Sequence, residues 1–311
     1  MRLRDVVEGY INYKRSLGMY FVSDAAVLRS FCRSIGDIPL EAVSSEPVLA
    51  FIAGTGPVTT RWGLKFHILH SFYRYALERS FVSTSPLPLS VPKLPPPLTP
   101  YIYTVDELNR LVAATATLRP LLRSLTLRSL LLLLYGTGMR IGEALSLRLQ
   151  DVDLAERLLT VHDAKFFKTR LVPIGPRLTE VMSDYLSRRC QLPMASGEAS
   201  AFFATHEGIH VDYKVVNKLF GQLRTVAEIH RESTARYQPR IHDIRHTAAV
   251  HRVVAWYRAG ADVQRLLLQL ATYLGHKDIR STQRYLSMTP ELLKEASLRF
   301  EHYARPEVCH D

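Results

Sequence analysis

Cysteine is scarce in this 311-residue chain: Cys32, Cys190 and Cys309 are odd in number and far apart. Such a set builds neither a disulfide framework nor the paired spacing of a zinc site, and it suits a reducing compartment. Long apolar runs are missing as well. The densest, Leu130 to Tyr135, is bounded by Arg128 and Gly136, and it is far shorter than the roughly 20 residues that cross a bilayer. The start, MRLRDVVEGYINYK, lacks the apolar run of a signal peptide, so the expectation is a soluble, cytoplasmic protein with no membrane partner. There is no G-x-x-x-x-G-K-[ST] loop and no clustered acidic pair of the two-metal type, so the sequence gives no footing for a bound nucleotide or two-metal chemistry, and no cofactor is expected. Acidic residues are in the minority: 29 Asp+Glu against 40 Lys+Arg leave a net charge of +11 and a pI near 9.7. A polyanion is the natural partner of such a surface, nucleic acid first among them, with plain solubility as the competing reading.

What is present is ordinary globular material, 47% hydrophobic and 22% charged, which argues against wholesale disorder. Seven of the 17 prolines crowd between Pro86 and Pro100, in SPLPLSVPKLPPPLTP. Proline fixes its own φ and disfavours helix in the residue before it, so this stretch should be extended and semi-rigid. It divides the chain into an arm (residues 1–85), a linker (86–103) and a body (104–311), the two flanking pieces being of ordinary domain size.

The arm reads as helical. Val6, Val7, Tyr10, Ile11 and Tyr13 follow helical spacing, as do Val27, Leu28, Phe31 and Cys32. A further helix over about Thr60 to Arg79 is expected to place Leu64, Ile68, Phe72 and Tyr75 on one side, with Arg61, Lys65, Arg74 and Arg79 interspersed. Those cations are either a solvated face or a DNA-facing one. In the body, Thr104-x-x-Glu107 predicts a capping box opening a helix through Leu108, Leu111 and Val112. A second helix is expected from about Pro120 to Tyr135, stopped by Gly136-Thr137-Gly138, and a third from near Arg140. From Leu158 to Ile174 the pattern turns to β, and the rest reads as helices broken around Gly197, Gly208, Gly260 and Gly275. The expected fold class is mainly α with a small antiparallel sheet, in two domains.

Four local patterns carry chemistry. In GTGMRIGEALSLR, Arg140 opens a helix among free backbone donors, a setting suited to anions; taken alone it reads rather as a surface arginine beside a C-cap glycine. Lys165 and Lys168 stand on the hairpin turn, where a lysine can reach into a groove or simply face water. In IHDIRH, His242 and Arg245 are three apart and share a helix face, pairing a titratable imidazole with a fork suited to phosphate oxygens. His242 and His246, one turn apart, could instead hold zinc, but Asp243 stands where H-E-x-x-H has glutamate and no third ligand is evident. In LGHKDIRSTQRYL, Gly275 and His276 end one helix, and Ser281 or Thr282 can cap another that carries Tyr285.

In the order Arg, Lys, His-x-x-Arg, Gly-His, Tyr, this set resembles the tyrosine recombinase (phage integrase) family. The spacing from Lys165 to Pro173 and the step from His276 to Tyr285 fit the family, strongly over 104–290. The SFYRYALE helix and the Ser85-Pro86 exit fit its helical core-binding arm more loosely. The resemblance implies that Arg140 and Arg245 clamp the non-bridging oxygens of a scissile phosphate, and that His242 and His276 support them. It implies Lys165 as the general acid for the departing 5′ oxygen, Tyr285 as the nucleophile, and Glu143 as an orienting residue for the arginine helix. Lys168, Arg61, Lys65 and Arg74 are expected on the DNA backbone. Three features depart from the family: Ala164 and Phe166 replace its usual glycines, Phe167 follows them, and the segment between Gly260 and His276 is a few residues longer. Lys165 is preferred over Lys168 for its distance to Pro173.

These residue types suit the reaction. A phosphodiester repels nucleophiles and gains charge during transfer, and preorganised donors on its oxygens contribute about 3–4 kcal/mol each. A phenol with a pKa near 10 needs nearby cations or a base to attack at neutral pH. The product would be a covalent 3′-phosphotyrosine and a free 5′ hydroxyl, and rejoining would need neither nucleotide triphosphate nor metal. The resemblance further implies a C-shaped clamp on double-stranded DNA and four protomers on two sites, with a monomer in solution or partner recombinases as further possibilities. The bacterial nucleoid is the expected location. Residues Pro290–Phe300 are expected either to dock on a neighbour or to fold back in cis. An integrase or transposase of a mobile element is the favoured role. A chromosome-dimer-resolving Xer-like recombinase, a type IB topoisomerase, a non-catalytic DNA-binding relative and a metal-dependent nuclease are the rivals.

Overall fold

The computed structural model describes residues 1–96, 98–162, 169–232, 235, 237–275, 282, 292–295 and 297–298. These fall into two compact units, one covering residues 1–98 and the other beginning at residue 99.

The first unit is helical: α1 (Leu3–Ser16), α2 (Val22–Ile35), α3 (Ser45–Ala53) and α4 (Thr60–Glu78). Val6, Val7, Tyr10 and Ile11 bury the inner face of α1, and Leu28 and Phe31 that of α2. Tyr10 meets Phe72 of α4 edge to face at 5.7 Å, the arrangement that the ring quadrupole favours. The inner face of α4 differs from the one expected. Trp62, Phe66, Leu69, Tyr73 and Ala76 are buried together with Ile68 and Phe72, whereas Leu64 points outward and is 53% exposed. Apolar residues occupy most of the circumference of α4, so two stripes fit its sequence, and packing against α1, α2 and α3 selects one. Residues 86–96 run without helix or strand, and Leu87 and Leu94 lie against this core. A Cβ on Gly63 would come within 2.6 Å of Leu94 Cδ1, so glycine permits that approach.

The second unit opens with α5 (Val105–Ala114), which carries the expected capping box. The Glu107 amide donates to Thr104 Oγ1 at 3.1 Å, and the Thr104 amide donates to Glu107 Oε2 at 2.7 Å. α6 (Leu121–Thr137) is buried on several sides at once, which explains its run of leucines. Two of its buried hydroxyls are satisfied within the helix, Thr126 on the carbonyl of Leu122 at 2.8 Å and Thr137 on that of Leu133 at 2.6 Å. Among the described residues no helix is long and apolar enough to cross a membrane.

After α7 (Ile141–Ser146) come three strands forming one antiparallel meander, β1 (Val152–Asp153), β2 (Leu158–His162) and β3 (Thr169–Pro173). The two-residue β1 was not expected. In the β2–β3 register Leu159 faces Val172 and Val161 faces Arg170, so Leu159, Val161 and Val172 turn to the core while Leu171 is exposed. Helices α8 (Pro176–Arg189), α9 (Tyr213–Val226), α10 (Asp243–Arg258) and α11 (Val263–Leu274) follow, with α6 packed between α8 and α10. Leu292 is buried against apolar residues of α10 and α11, and Glu295 pairs with Arg258 of α10 at 2.9 Å. Residues 292–295 therefore fold back onto their own chain.

Candidate active site

The site is built where three chain turns meet. α6 stops at Gly138, whose φ of 63° is left-handed. A Cβ there would stand 2.7 Å from Leu274 Cδ2, so glycine brings the end of α6 against the end of α11. Two residues later Arg140 caps α7. Its amide donates to Glu143 Oε2 at 2.9 Å, its Nη1 to Glu143 Oε1 at 2.6 Å, and its Nη2 to the Gly275 carbonyl at 3.1 Å. The side chain remains 40% exposed, leaving part of the guanidinium open to solvent.

Arg245 lies in the first turn of α10 and is only 4% exposed. It donates from Nη1 to the Gly138 carbonyl at 2.8 Å and from Nη2 to the Leu274 carbonyl at 2.9 Å. Leu274 and Gly275 are consecutive, so both guanidiniums are anchored at one helix C-terminus. The last carbonyls of a helix lack intrahelical donors and carry partial negative charge, so two cations are held together there by local chemistry.

His242, the N-cap of α10, stands beside them. Burial lowers its pKa, Arg245, Arg240 and Arg140 lower it further, and Asp243 only partly opposes them. The imidazole is therefore neutral at pH 7. The pKa of His246 is pushed down to about 4, by burial first and by His242 next, with its ring packed edge to face on His242 at 5.2 Å. Among the described residues no three His, Cys, Asp or Glu side chains stand close enough to hold a metal ion. Asp243 is employed elsewhere: its carboxylate accepts from the Arg240 amide at 2.9 Å and from Arg240 Nη2 at 2.7 Å, fixing the start of α10. Tyr103 ties that start to the segment before α5, donating its hydroxyl to the Arg240 carbonyl at 3.0 Å and its amide to Thr247 at 3.0 Å.

Of the expected site residues, the structure brings Arg140, His242 and Arg245 together. Lys165, Lys168, His276 and Tyr285 lie outside the described residues. In the first unit Arg61 and Arg74 are exposed, Arg74 lying 3.8 Å from Glu78. Lys65 is engaged internally: its ammonium donates to the Phe51 carbonyl and stands 4.4 Å from the centre of the Phe51 ring, tying α4 to α3.

One member of the site went unnoticed in the sequence. Arg170 of β3 donates from Nη2 to Glu143 Oε2 at 2.6 Å and from Nη1 to Oε1 at 3.2 Å, a two-pronged grip on the carboxylate that also holds Arg140. Burial raises the Glu143 pKa, but the hydrogen bonds from Arg170 and Arg140 outweigh it and hold the carboxyl below its ordinary value. A signal existed: Arg170 is two residues before the core residue Val172, so strand alternation turns it inward.

A family model described as the phage integrase family matches residues 102–291. The chain is 33% identical over 304 residues, 96% of each sequence, to the Sinorhizobium fredii protein named "Putative integrase/recombinase y4rB". It is 28% identical over 286 residues to the tyrosine recombinase XerC of Oceanobacillus iheyensis, covering 90% of this chain and 88% of that one. Among solved structures, the Tn1549 transposon integrase in complex with transposon right end DNA has the same fold, with a TM-score of 0.71 at 16% identity over 98% of this chain and 100% of that one.

Proposed function

The chain belongs to the phage integrase family and is a tyrosine site-specific recombinase, and from that premise we propose how its residues divide the work of cutting and rejoining DNA. Arg140 and Arg245 grip the two non-bridging oxygens of the scissile phosphate. The observation that carries this is their common anchorage on the adjacent carbonyls of Leu274 and Gly275. Fixed donors of this kind act most strongly where charge develops in the transition state. His242, neutral at pH 7, accepts the phenolic proton of Tyr285 or passes it on, and His276 supports the phosphate. The phenolic oxygen bonds to phosphorus, the bond from phosphorus to the 5′ oxygen breaks, and Lys165 delivers a proton to that oxygen. Attack by a 5′ hydroxyl on the 3′-phosphotyrosine reverses the sequence, so neither hydrolysis nor nucleotide energy enters.

Residues 1–85 serve in this scheme as the helical core-binding domain and residues 104–311 as the catalytic domain, joined by the proline-rich stretch 86–103. Arg61, Arg74 and Lys168 meet the backbone of double-stranded DNA, and Lys65 joins them only by giving up its tie to Phe51. Exchange between two duplexes requires four strand cuts, one tyrosine for each, so the working assembly is a homo-tetramer on two sites. The place of action is the cytoplasm, on the nucleoid. The biological role is integration or transposition of a mobile element. Identity along almost the whole length of an integrase/recombinase supports this role, and the replaced glycines beside Lys165 set the hairpin apart from the family's usual form. Dimer resolution of the Xer kind is the alternative, supported by the XerC match.

Single-turnover cleavage of a nicked suicide duplex, run in excess chelator, tests the scheme. The expected result is undiminished covalent attachment by the native chain, and a loss of about 100-fold or more in the attachment rate for Arg140→Lys at near-native DNA affinity. Cleavage that disappears in chelator, or an Arg140→Lys variant of native rate, would overturn it. Excision between the repeats flanking the gene separates the mobile-element role from dimer resolution.

A further inference from the structure

A carboxylate beside a phosphate-binding arginine creates a conflict. Glu143 fixes the Arg140 guanidinium, yet its own charge repels the phosphate that Arg140 is there to hold. The structure assigns the resolution to Arg170: we infer that this β3 arginine is a positioning residue for strand transfer, acting on the phosphate only through Glu143 and Arg140. The inference rests on the reading of Arg140 as a grip on the scissile phosphate.

Three observations carry it. First, the Glu143 carboxylate receives four N–H groups from two arginines, so both its oxygens and its plane are fixed. Held by Arg140 alone, the carboxylate could rotate and carry the guanidinium with it. Second, the charges of the cluster are two positive and one negative. Arg170 offsets Glu143 and leaves the charge of Arg140 for the ligand. Its side chain is only 16% exposed, against 40% for Arg140, so Arg170 is the inward partner and Arg140 the outward one. Third, Arg170 is held in place at a cost. Its Nε is buried with no hydrogen-bond partner in the described structure, a condition that native proteins rarely leave without a use. Its guanidinium also crowds Gly275, where a Cβ would stand 2.8 Å from Nη1. The same glycine's carbonyl accepts from Arg140. Arg170 thus braces both supports of Arg140, the Glu143 carboxylate and the Gly275 turn.

The test uses the full chain and a nicked suicide duplex with its scissile phosphate replaced in turn by each phosphorothioate diastereomer. Arg140→Lys should alter the phosphate-to-thiophosphate rate ratio for the diastereomer whose sulfur replaces the oxygen that Arg140 grips. Arg170→Gln should slow covalent attachment by about 100-fold, the scale of a misplacement near 1 Å, and should change the ratio for the same diastereomer, with duplex affinity kept within a few-fold. Arg170→Lys, which keeps the charge but not the two-pronged geometry, should fall between, and carries the test should Arg170→Gln fail to fold. Combining Glu143→Gln with the Arg170 variant should cost no more than the worse single change. An unchanged thio ratio in the Arg170 variants, or losses that multiply in the double variant, would overturn the assignment. Unchanged ratios for both diastereomers in Arg140→Lys would remove the phosphate grip itself, and the brace with it.

Discussion

At His246 the fold holds an imidazole in its neutral state, its pKa pushed down to about 4 by burial and then by His242, with Asp243 opposing and Arg245 and Arg240 adding to the push. Linkage fixes the sign of the consequence. Above the ordinary value of 6.5 the ring is neutral whether the chain is folded or not. As pH falls from 6.5 towards 4 the unfolded chain takes the proton first, and stability drains away. The interval corresponds to about 3 kcal/mol. Urea unfolding between pH 7 and 4 should show a shallower decline for His246→Asn than for the native chain, by roughly this amount; parallel curves would contradict it. His242 has a chemical consequence of the same sign. Its pKa lies below the ordinary imidazole value, so the rate of covalent attachment should rise to a plateau through a midpoint below pH 6.5. In His242→Gln, which can hydrogen-bond but does not titrate in this range, that acid limb should disappear. A midpoint above 6.5 would place the controlling proton elsewhere.

At the scale of elements, the end of α6 deserves a direct test because it serves two helices. A residue with a Cβ at Gly138 meets Leu274 at 2.7 Å in a left-handed backbone, and left-handed strain alone costs about 1–2 kcal/mol. Gly138→Ala should therefore lower the urea midpoint by that equivalent and disturb Arg245, which bonds to the Gly138 carbonyl. Unaltered stability would show that the approach of the two ends is looser than described. Local signals of this type made much of the body legible: Gly138 closing α6, the Thr104–Glu107 box opening α5, and period-two alternation in β2 and β3 each act within a few residues. Leu64 misled because α4 is apolar around most of its circumference, and only its neighbours decide which stripe is buried. Arg170 was missed for a related reason. Strand alternation from Val172 turns it inward, but its partner Glu143 is 27 residues away and no local pattern names it. Arg140, His242 and Arg245 were legible through the order of their motifs, whereas the carbonyls that anchor the two arginines belong to the backbone, which has no residue-type signature.

For the molecule as a whole, a net charge of +11 sets the character of its encounter with DNA. Each neutralised phosphate releases counterions, so log K should fall with log salt at a slope of about −0.9 per contact, and a protein making several contacts should lose about a thousandfold or more between 50 and 200 mM salt. A flat titration would dismiss the basic surface as the source of affinity. The proposed reaction requires remote stretches of chain to act on one phosphorus atom, with the arginines anchored at the end of α11 and the proposed nucleophile, Tyr285, ten residues beyond Gly275. The most direct measurement is peptide mapping by mass spectrometry of the covalent complex trapped on a nicked suicide duplex, with Tyr285→Phe alongside. The account predicts a 3′-phosphonucleotide on Tyr285, and for the Phe variant no adduct at near-native duplex affinity. An adduct on another residue, or one that survives Tyr285→Phe, would contradict it.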